Sequence, residues 1–270
     1  MGTPLGWHIG MRLADDRVLA STPHERRLLS RGVLRHGERA RLVAYRAVDT
    51  HLHAELLCER AEVGRFTRSV GSAVAAALGR QVPLHMSFVK PIADQRHGLA
   101  TLRYILGQER HHGLDSDPFH EASNLPDLLG LRVLGAHTAR VLGQAFPRVR
   151  RLELLEAFGG AASSEAQELE LLEDAAAAAF ALPDLRGRGP EIVVARRAAV
   201  QAAGRAATAG ELARLLGAGV RTVERLRLQP CGPDLVAAVR GQWRLRSGWR
   251  ASTPTRAAAD GLVATPSARV

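Results

Sequence analysis

Two histidines separated by a single leucine carry the clearest chemical signal in the chain. His51-Leu52-His53 stands in a run of strand-forming residues, and side chains alternate along a strand, so both imidazoles project to one face and Leu52 to the other. Neutral imidazole is a good ligand for divalent metals, and a pair at this spacing leaves room for a third ligand from a neighbouring element. Glu55, two residues beyond His53, shares that face and is the candidate oxygen ligand; the alternative is a solvated glutamate. The bland reading of the pair itself is two surface histidines on an open sheet face.

Arginine is the second signal. Lysine and arginine number 37 against 27 aspartates and glutamates, giving a net charge of +10 and a sequence pI near 11.1, and Lys90 is the only lysine. Arginine clamps phosphate oxygens bidentately and releases counterions from a polyanion, so nucleic acid is the first partner to consider. Arginines on solvated helix faces are the alternative. The run Thr208 to Arg227 has the grammar of a helix-turn-helix. Leu212, Leu215 and Leu216 would pack inward, Gly217 would turn the chain, and Val220, Val223 and Leu226 would seat the second helix. Arg221, Thr222, Arg225 and Arg227 would then face a DNA major groove, with an arginine-rich helix over Val193 to Arg205 as the third member. A helical hairpin with a solvated arginine face is the competing reading.

The elements that must position these residues follow from periodicity. Strands are expected over Leu5–Leu13, Arg39–Val48, His51–Glu59 and Met86–Ile92, with Asp49-Thr50 as a tight hairpin turn. Helices are expected over Pro23–His36, capped by Ser21 or Thr22, and over Ala61–Gly79 and Gly98–His112. The order β, α, β, β, α, β, α favours an α+β, ferredoxin-like antiparallel sheet with helices on one face and the other face available. Asp115 to Pro126 looks like an irregular connector and marks a boundary between residues 1–126 and a helical region over 127–250. Helical periodicity there covers Leu131–Leu142, Val149–Phe158 and Glu165–Leu182, followed by a loop over Pro183–Pro190. The alanine run Ala175–Phe180 reads as a core helix, and the stretch 251–270 as a disordered tail.

An apolar fraction of 46% supports a real core. No uninterrupted apolar run of about eighteen residues occurs and Met1–Leu13 lacks a signal-peptide layout, so no membrane partner and a cytoplasmic location are expected. Cys58 and Cys231 stand apart from any CxxC or Cys/His cluster and read as buried thiols.

The strand-turn-strand from Val43-Ala44-Tyr45 through Val48-Asp49-Thr50-His51-Leu52-His53-Ala54-Glu55-Leu56-Leu57 resembles the HUH region of the single-tyrosine HUH transposases, including the REP-associated tyrosine transposases. Trp7-His8-Ile9, Phe88-Val89-Lys90 and Leu102-Arg103-Tyr104-Ile105 through His112-Gly113-Leu114 agree with it in order, over about Leu5 to Gly130. The resemblance implies a metal, magnesium or manganese, held by His51 and His53 and polarising a phosphodiester. It implies a tyrosine on a nearby helix that attacks phosphorus and becomes linked to the 5′ end of a single strand. It also implies a helix-turn-helix appended to the catalytic fold, and action as a homodimer.

Alignment places the nucleophile on the helix Arg65–Gly79, near Ser72, Ala73 or Val74, with the polar residue completing the metal site around Ala77–Gly79; neither is present. Ser72 lacks a neighbouring base. Tyr45 and Tyr104 fall at positions other than the nucleophile, which leaves them core or hydrogen-bonding roles. No catalytic residue is assigned on this reading. The expected function is recognition of DNA, single-stranded or hairpin by the first domain and duplex by the second, without nicking. The alternatives are an active transposase or nickase, used in DNA transposition, with an unrecognised nucleophile, and an interaction scaffold that has lost DNA.

Overall fold

The structure, a computed structural model, describes residues 3–13, 17–79, 84–108, 112, 120–157 and 167–252. Strand β1 (Gly6–Arg12) leads to helix α1 (Pro23–Gly37), the hairpin β2 (Leu42–Val48) and β3 (His51–Leu56), helix α2 (Arg60–Ala77) and strand β4 (His85–Ile92). The four strands form one antiparallel sheet in the order β2-β3-β1-β4. The chain is thus an α+β protein, with β1 and β3 at the centre of its sheet.

Local chemistry accounts for these elements. Thr22 and Glu25 form a reciprocal capping box at the start of α1, with Pro23 in the first turn where its missing N–H costs nothing. Asp49 adopts φ +53° in the turn between β2 and β3, as a two-residue hairpin turn requires. Ile9, Met11, Leu52, Ala54 and Leu56 lie on one face of the sheet. They pack there with Leu29, Val33 and Leu34 of α1 and Val63, Phe66, Val70 and Val74 of α2.

Helix α3 (Gln95–Leu106), capped by Asp94, covers the β2–β3 half of the opposite face. Its Leu102, Ile105 and Leu106 join Val43 and Ala44 of β2 in a second core. Helices α4 (Leu125–Leu128), α5 (Ala136–Ala145) and α6 (Arg151–Ala157) complete that core with Leu125, Val141, Phe146 and Leu154. The second face is therefore partly covered, where the sequence reading left it open.

Residues 120–124 belong to the structure more firmly than an irregular connector would. Ala47 N–H donates to Ala122 O at 2.8 Å, and the Asn124 side chain accepts from Tyr45 N–H at 2.9 Å and donates to Val43 O at 2.8 Å. The segment thereby covers the edge of β2, whose backbone groups would otherwise be exposed to pairing with another chain. Residues 115–119 of the expected connector lie outside the described residues.

The remaining helices are α7 (Leu172–Ala179), entered by a 3-10 turn at Leu169–Leu171, α8 (Pro190–Ala203), α9 (Ala209–Leu215), α10 (Val220–Leu228) and α11 (Pro233–Ser252). Ala175–Ala179 are buried, as their close packing against α8 and α11 demands. Three expectations are corrected. Residues 131–135 are not helical, because the chain there folds the Arg132 guanidinium inward onto Asp127, Tyr45 Oη and the Ser123 carbonyl. Helix α11 runs to Ser252, past the expected start of the tail, whose residues 253–270 lie outside the described set. Cys58 and Cys231 are half-buried.

An ionic cluster ties the sheet layer to the C-terminal helices. Glu121, 4% exposed, accepts from Arg27 of α1 at 3.0 Å and from Arg246 of α11 at 2.8 Å, and Asp174 of α7 pairs with both arginines. Among the described residues no helix is long and apolar enough to cross a membrane.

Candidate functional site

The apolar alternation that buries Leu52, Ala54 and Leu56 beneath α1 and α2 forces the intervening residues of β3 onto the other face. His51 and His53 share that face, their ring centroids 5.5 Å apart. His8 projects beside them from β1, its Nε2 3.1 Å from His53 Nδ1. The exposed ring of His112 lies 5.4 Å from that of His51, extending the row to four imidazoles.

Phe88 of β4 walls the row, with ring centroids 5.1 Å from His8 and 5.7 Å from His53. Gly10 makes this wall fit: a methyl group there would sit 2.3 Å from the Phe88 ring. Lys90, cross-strand partner of His8, rests its ammonium 5.3 Å from the Phe88 ring centre.

Tyr104 of α3 closes the other side. Its ring lies 5.7 Å from both His8 and His53, nearly perpendicular to each, and the residue is 39% exposed. Tyr104 is thus not a core residue, one of the two roles expected for it from sequence. Helix α2, where the resemblance places a nucleophile, packs on the opposite face of the sheet, so Ser72, Ala73 and Val74 are separated from the imidazoles by the sheet itself. One turn beyond Tyr104 stands Gln108, which is buried. Tyr45, by contrast, is buried in the α1–α2 core, and its hydroxyl accepts from Arg132 at 3.2 Å.

The electrostatics follow from burial. Desolvation, with the neighbouring Lys90 and His97 charges, lowers the His8 pKa to about 4. Desolvation and the adjacent histidines lower that of His53 to about 3. Both rings are consequently neutral at physiological pH, the form that binds metal. Glu55 shares their face but lies under α3, fully buried, where a methyl group on Gly98 would stand 3.1 Å from its Oε1. Neither carboxyl oxygen has a hydrogen-bond partner among the described residues, and burial pushes the pKa up to about 8. Glu55 is thus not a solvated glutamate, and its apolar seat favours the neutral, protonated form of the carboxyl.

Hydrogen bonds engage the same ring nitrogen in His51 and His53. Thr50 Oγ1 lies 2.8 Å from His51 Nδ1, and His8 Nε2 engages His53 Nδ1. Anchoring Nδ1 in both rings leaves Nε2 of each to ligate, the arrangement in which metal-binding histidines are usually held. Among the described residues no group of three or more His, Cys, Asp or Glu side chains converges as a metal site.

At the other end of the chain, Gly217 turns with φ +57° between α9 and α10, and Leu212, Leu216, Val223 and Leu226 pack into one core with α8. Thr208 and Glu211 form a capping box at the start of α9. Arg221 and Arg225 are exposed on α10 and Thr222 is half-buried. Leu215, partly buried, packs against the same core, whereas Val220 is 46% exposed and does not seat the second helix as expected. Arg227 is exposed but engaged: its guanidinium donates to Ala207 O at 2.6 Å and Gly204 O at 3.5 Å, which ties it to the α8–α9 junction.

No protein-family model, curated protein or solved structure matches the chain.

Proposed function

We propose that the protein is a DNA-strand-nicking enzyme of the single-tyrosine HUH type, built on a ferredoxin-like sheet, with Tyr104 as its nucleophile. The observation that carries this reading is the phenol of Tyr104 facing His8 and His53 from the helix on their side of the sheet. It replaces the expectation of a DNA-binding protein without nicking activity, which rested on a nucleophile sought on α2.

In the reaction, the Tyr104 phenolic oxygen bonds to phosphorus while the bond from phosphorus to the 3′ oxygen breaks. The 3′ end leaves as a hydroxyl after taking up a proton, and the 5′ phosphate stays on the protein as a phosphotyrosine. His51 and His53 are the residues to hold a divalent metal, which when bound offsets charge on the phosphoryl oxygens. Lys90 adds a fixed positive charge beside His8. Two imidazole donors suit zinc better than manganese and manganese better than magnesium, which prefers oxygen ligands. Gln108, one turn past Tyr104, is the candidate for the polar residue that the HUH resemblance calls for.

DNA enters this reading as substrate, single-stranded at the histidine face. Helices α8 to α10 serve as a helix-turn-helix, with Arg221 and Arg225 towards duplex. The test is to incubate the chain with manganese and a 3′-labelled single-stranded hairpin oligonucleotide, then denature. The expected result is a label-bearing covalent adduct that Tyr104→Phe abolishes and Ser72→Ala leaves intact. Absence of an adduct in the unsubstituted chain returns the protein to a DNA-binding role without cleavage.

A further inference from the structure

The exposed arc of α3 does not end at Tyr104. Beside it a groove of about 630 Å³ runs between α3 and residues 146–149, a size suited to a small ligand or one unit of a polymer. Its floor is apolar, with Leu99, Phe146 and Val149, and its rim carries Arg96, Arg103 and Arg148. All three arginines are exposed, and none has a guanidinium partner among the described residues. Among the described residues no acidic side chain lines the groove.

A comparison within the molecule shows why this matters. The cavity between α1 and α2 is also rich in arginine, yet Glu62 there engages both Arg39 and Arg65, so much of its charge is neutralised internally. Around the α3 groove, three cations border an apolar surface that no acidic side chain among the described residues lines. That combination matches a polyanion bearing flat apolar units: phosphates at the arginines and a base against Leu99, Phe146 and Val149.

We propose that this groove holds the nucleotides of single-stranded DNA flanking the phosphate that lies at Tyr104. The inference rests on the proposed nicking function for the identity of that phosphate, but not for the groove's affinity. Arg103, which lines the groove, adjoins Tyr104 in sequence, and Ala100, which also lines it, lies one turn before Tyr104 on α3. A strand crossing the histidine face can therefore pass over α3 into the groove. The groove thereby acts as a positioning surface, fixing which phosphodiester of a continuous strand stands before the phenol.

The experiment uses the full chain carrying Tyr104→Phe, so that binding stays non-covalent, and a labelled oligothymidylate titrated by fluorescence anisotropy at several salt concentrations. Arg96→Ala, Arg103→Ala and Arg148→Ala together should weaken binding at least about tenfold at low salt. The slope of log affinity against log salt should fall by about 2, at about 0.7 for each phosphate of a single strand that is no longer neutralised. Arg39→Ala with Arg65→Ala, whose guanidinium groups are paired with Glu62, should leave oligothymidylate binding unchanged, and polyglutamate of equal charge should compete poorly because it lacks bases. Parent-like affinity and slope in the triple variant, or polyglutamate competing as well as unlabelled oligothymidylate, overturns the groove. Adduct formation by the chain with Tyr104 intact separates the two ideas. An adduct formed equally with and without the three arginines sinks the groove and keeps the nuclease. Loss of affinity without any adduct keeps the groove and sinks the nuclease.

Discussion

Tyr104 and His53 face each other across the gap between α3 and the centre of the sheet, ring centroids 5.7 Å apart and planes at 84°. Neither residue is close to the other in sequence, and each is placed by a different rule: His53 by strand alternation, Tyr104 by the apolar stripe that seats α3 on β2 and β3. Their roles separate experimentally. Tyr104→Phe should abolish adduct formation while leaving zinc or manganese affinity within about twofold, measured by calorimetry. His51→Ala with His53→Ala should remove metal binding, and zinc should bind more tightly than manganese, and manganese more tightly than magnesium. Magnesium binding as tightly as zinc would show that oxygen ligands, not these imidazoles, form the site.

Much of this arrangement could be read from the amino-acid string, and the part that could not has a definite cause. Alternation along 51–56 put His51, His53 and Glu55 on one face, and Thr22 with Glu25 announced the start of α1. The face covered by each helix needed a further step. Leu52, Ala54 and Leu56 must meet the apolar stripes of the helices that cross over between parallel strands, and right-handed crossovers put α1 and α2 on the same side. A group able to reach the histidines must then come from a helix outside those crossovers, which is α3. The surroundings of Glu55 and Arg227 were not legible for another reason: burial beneath α3 and the reach of a guanidinium to a distant carbonyl depend on tertiary packing that periodicity does not encode.

Glu55 gives a pH dependence with a defined sign. Its folded pKa, about 8, lies above the ordinary 4.5, so the unfolded chain loses this proton first as pH rises. The stability associated with the protonated form is complete below about pH 4.5 and is lost progressively up to about pH 8. Glu55→Gln should flatten this limb and raise the urea midpoint at pH 8 while changing little at pH 4.5. An unchanged midpoint at pH 8 would mean the carboxyl is ionised and satisfied.

Histidines shielded from solvent act at the other end of the scale. His8, His53 and His120 have folded pKa values lowered to about 4, 3 and 2, desolvation being the leading cause for each. Stability is therefore full above about pH 6.5 and falls as acid protonates the unfolded chain, continuing towards the folded values. Each group contributes a slope of about 1.4 kcal/mol per pH unit where only the unfolded chain holds the proton. Replacing His120 with Phe should reduce the acid slope by one such increment in urea titrations between pH 6 and 4.5.

Glu121 joins layers that share little apolar surface. Both of its carboxylate oxygens receive Arg27, and one also receives Arg246, in a nearly dry setting. Glu121→Ala should cost about 3–5 kcal/mol, because two guanidinium groups lose an anion while remaining largely desolvated. Arg140→Ala, whose partner Glu38 is mostly exposed at 3.5 Å, should cost under about 1 kcal/mol by the same denaturation assay. Equal effects would indicate that the Glu121 cluster is hydrated in solution.

Arginines on α10 divide into two groups by what their guanidinium groups touch. Arg227 is bound to the carbonyls of Gly204 and Ala207, at the end of α8 and the approach to α9. Removing it should lower thermal stability, because these carbonyls lose a charged donor, at about 1.5–3 kcal/mol for a hydrogen bond of this type. Exposure discounts that figure towards its lower end or below. Arg221 and Arg225 are exposed on the same helix, so Arg221→Ala with Arg225→Ala should leave the melting temperature unchanged. The same pair should weaken duplex binding and make it less salt-dependent, by about 0.9 in slope for each phosphate that an arginine no longer neutralises. If the double variant binds duplex like the parent in a gel-shift titration, α9 and α10 are a structural hairpin, and duplex recognition must be sought elsewhere on the chain.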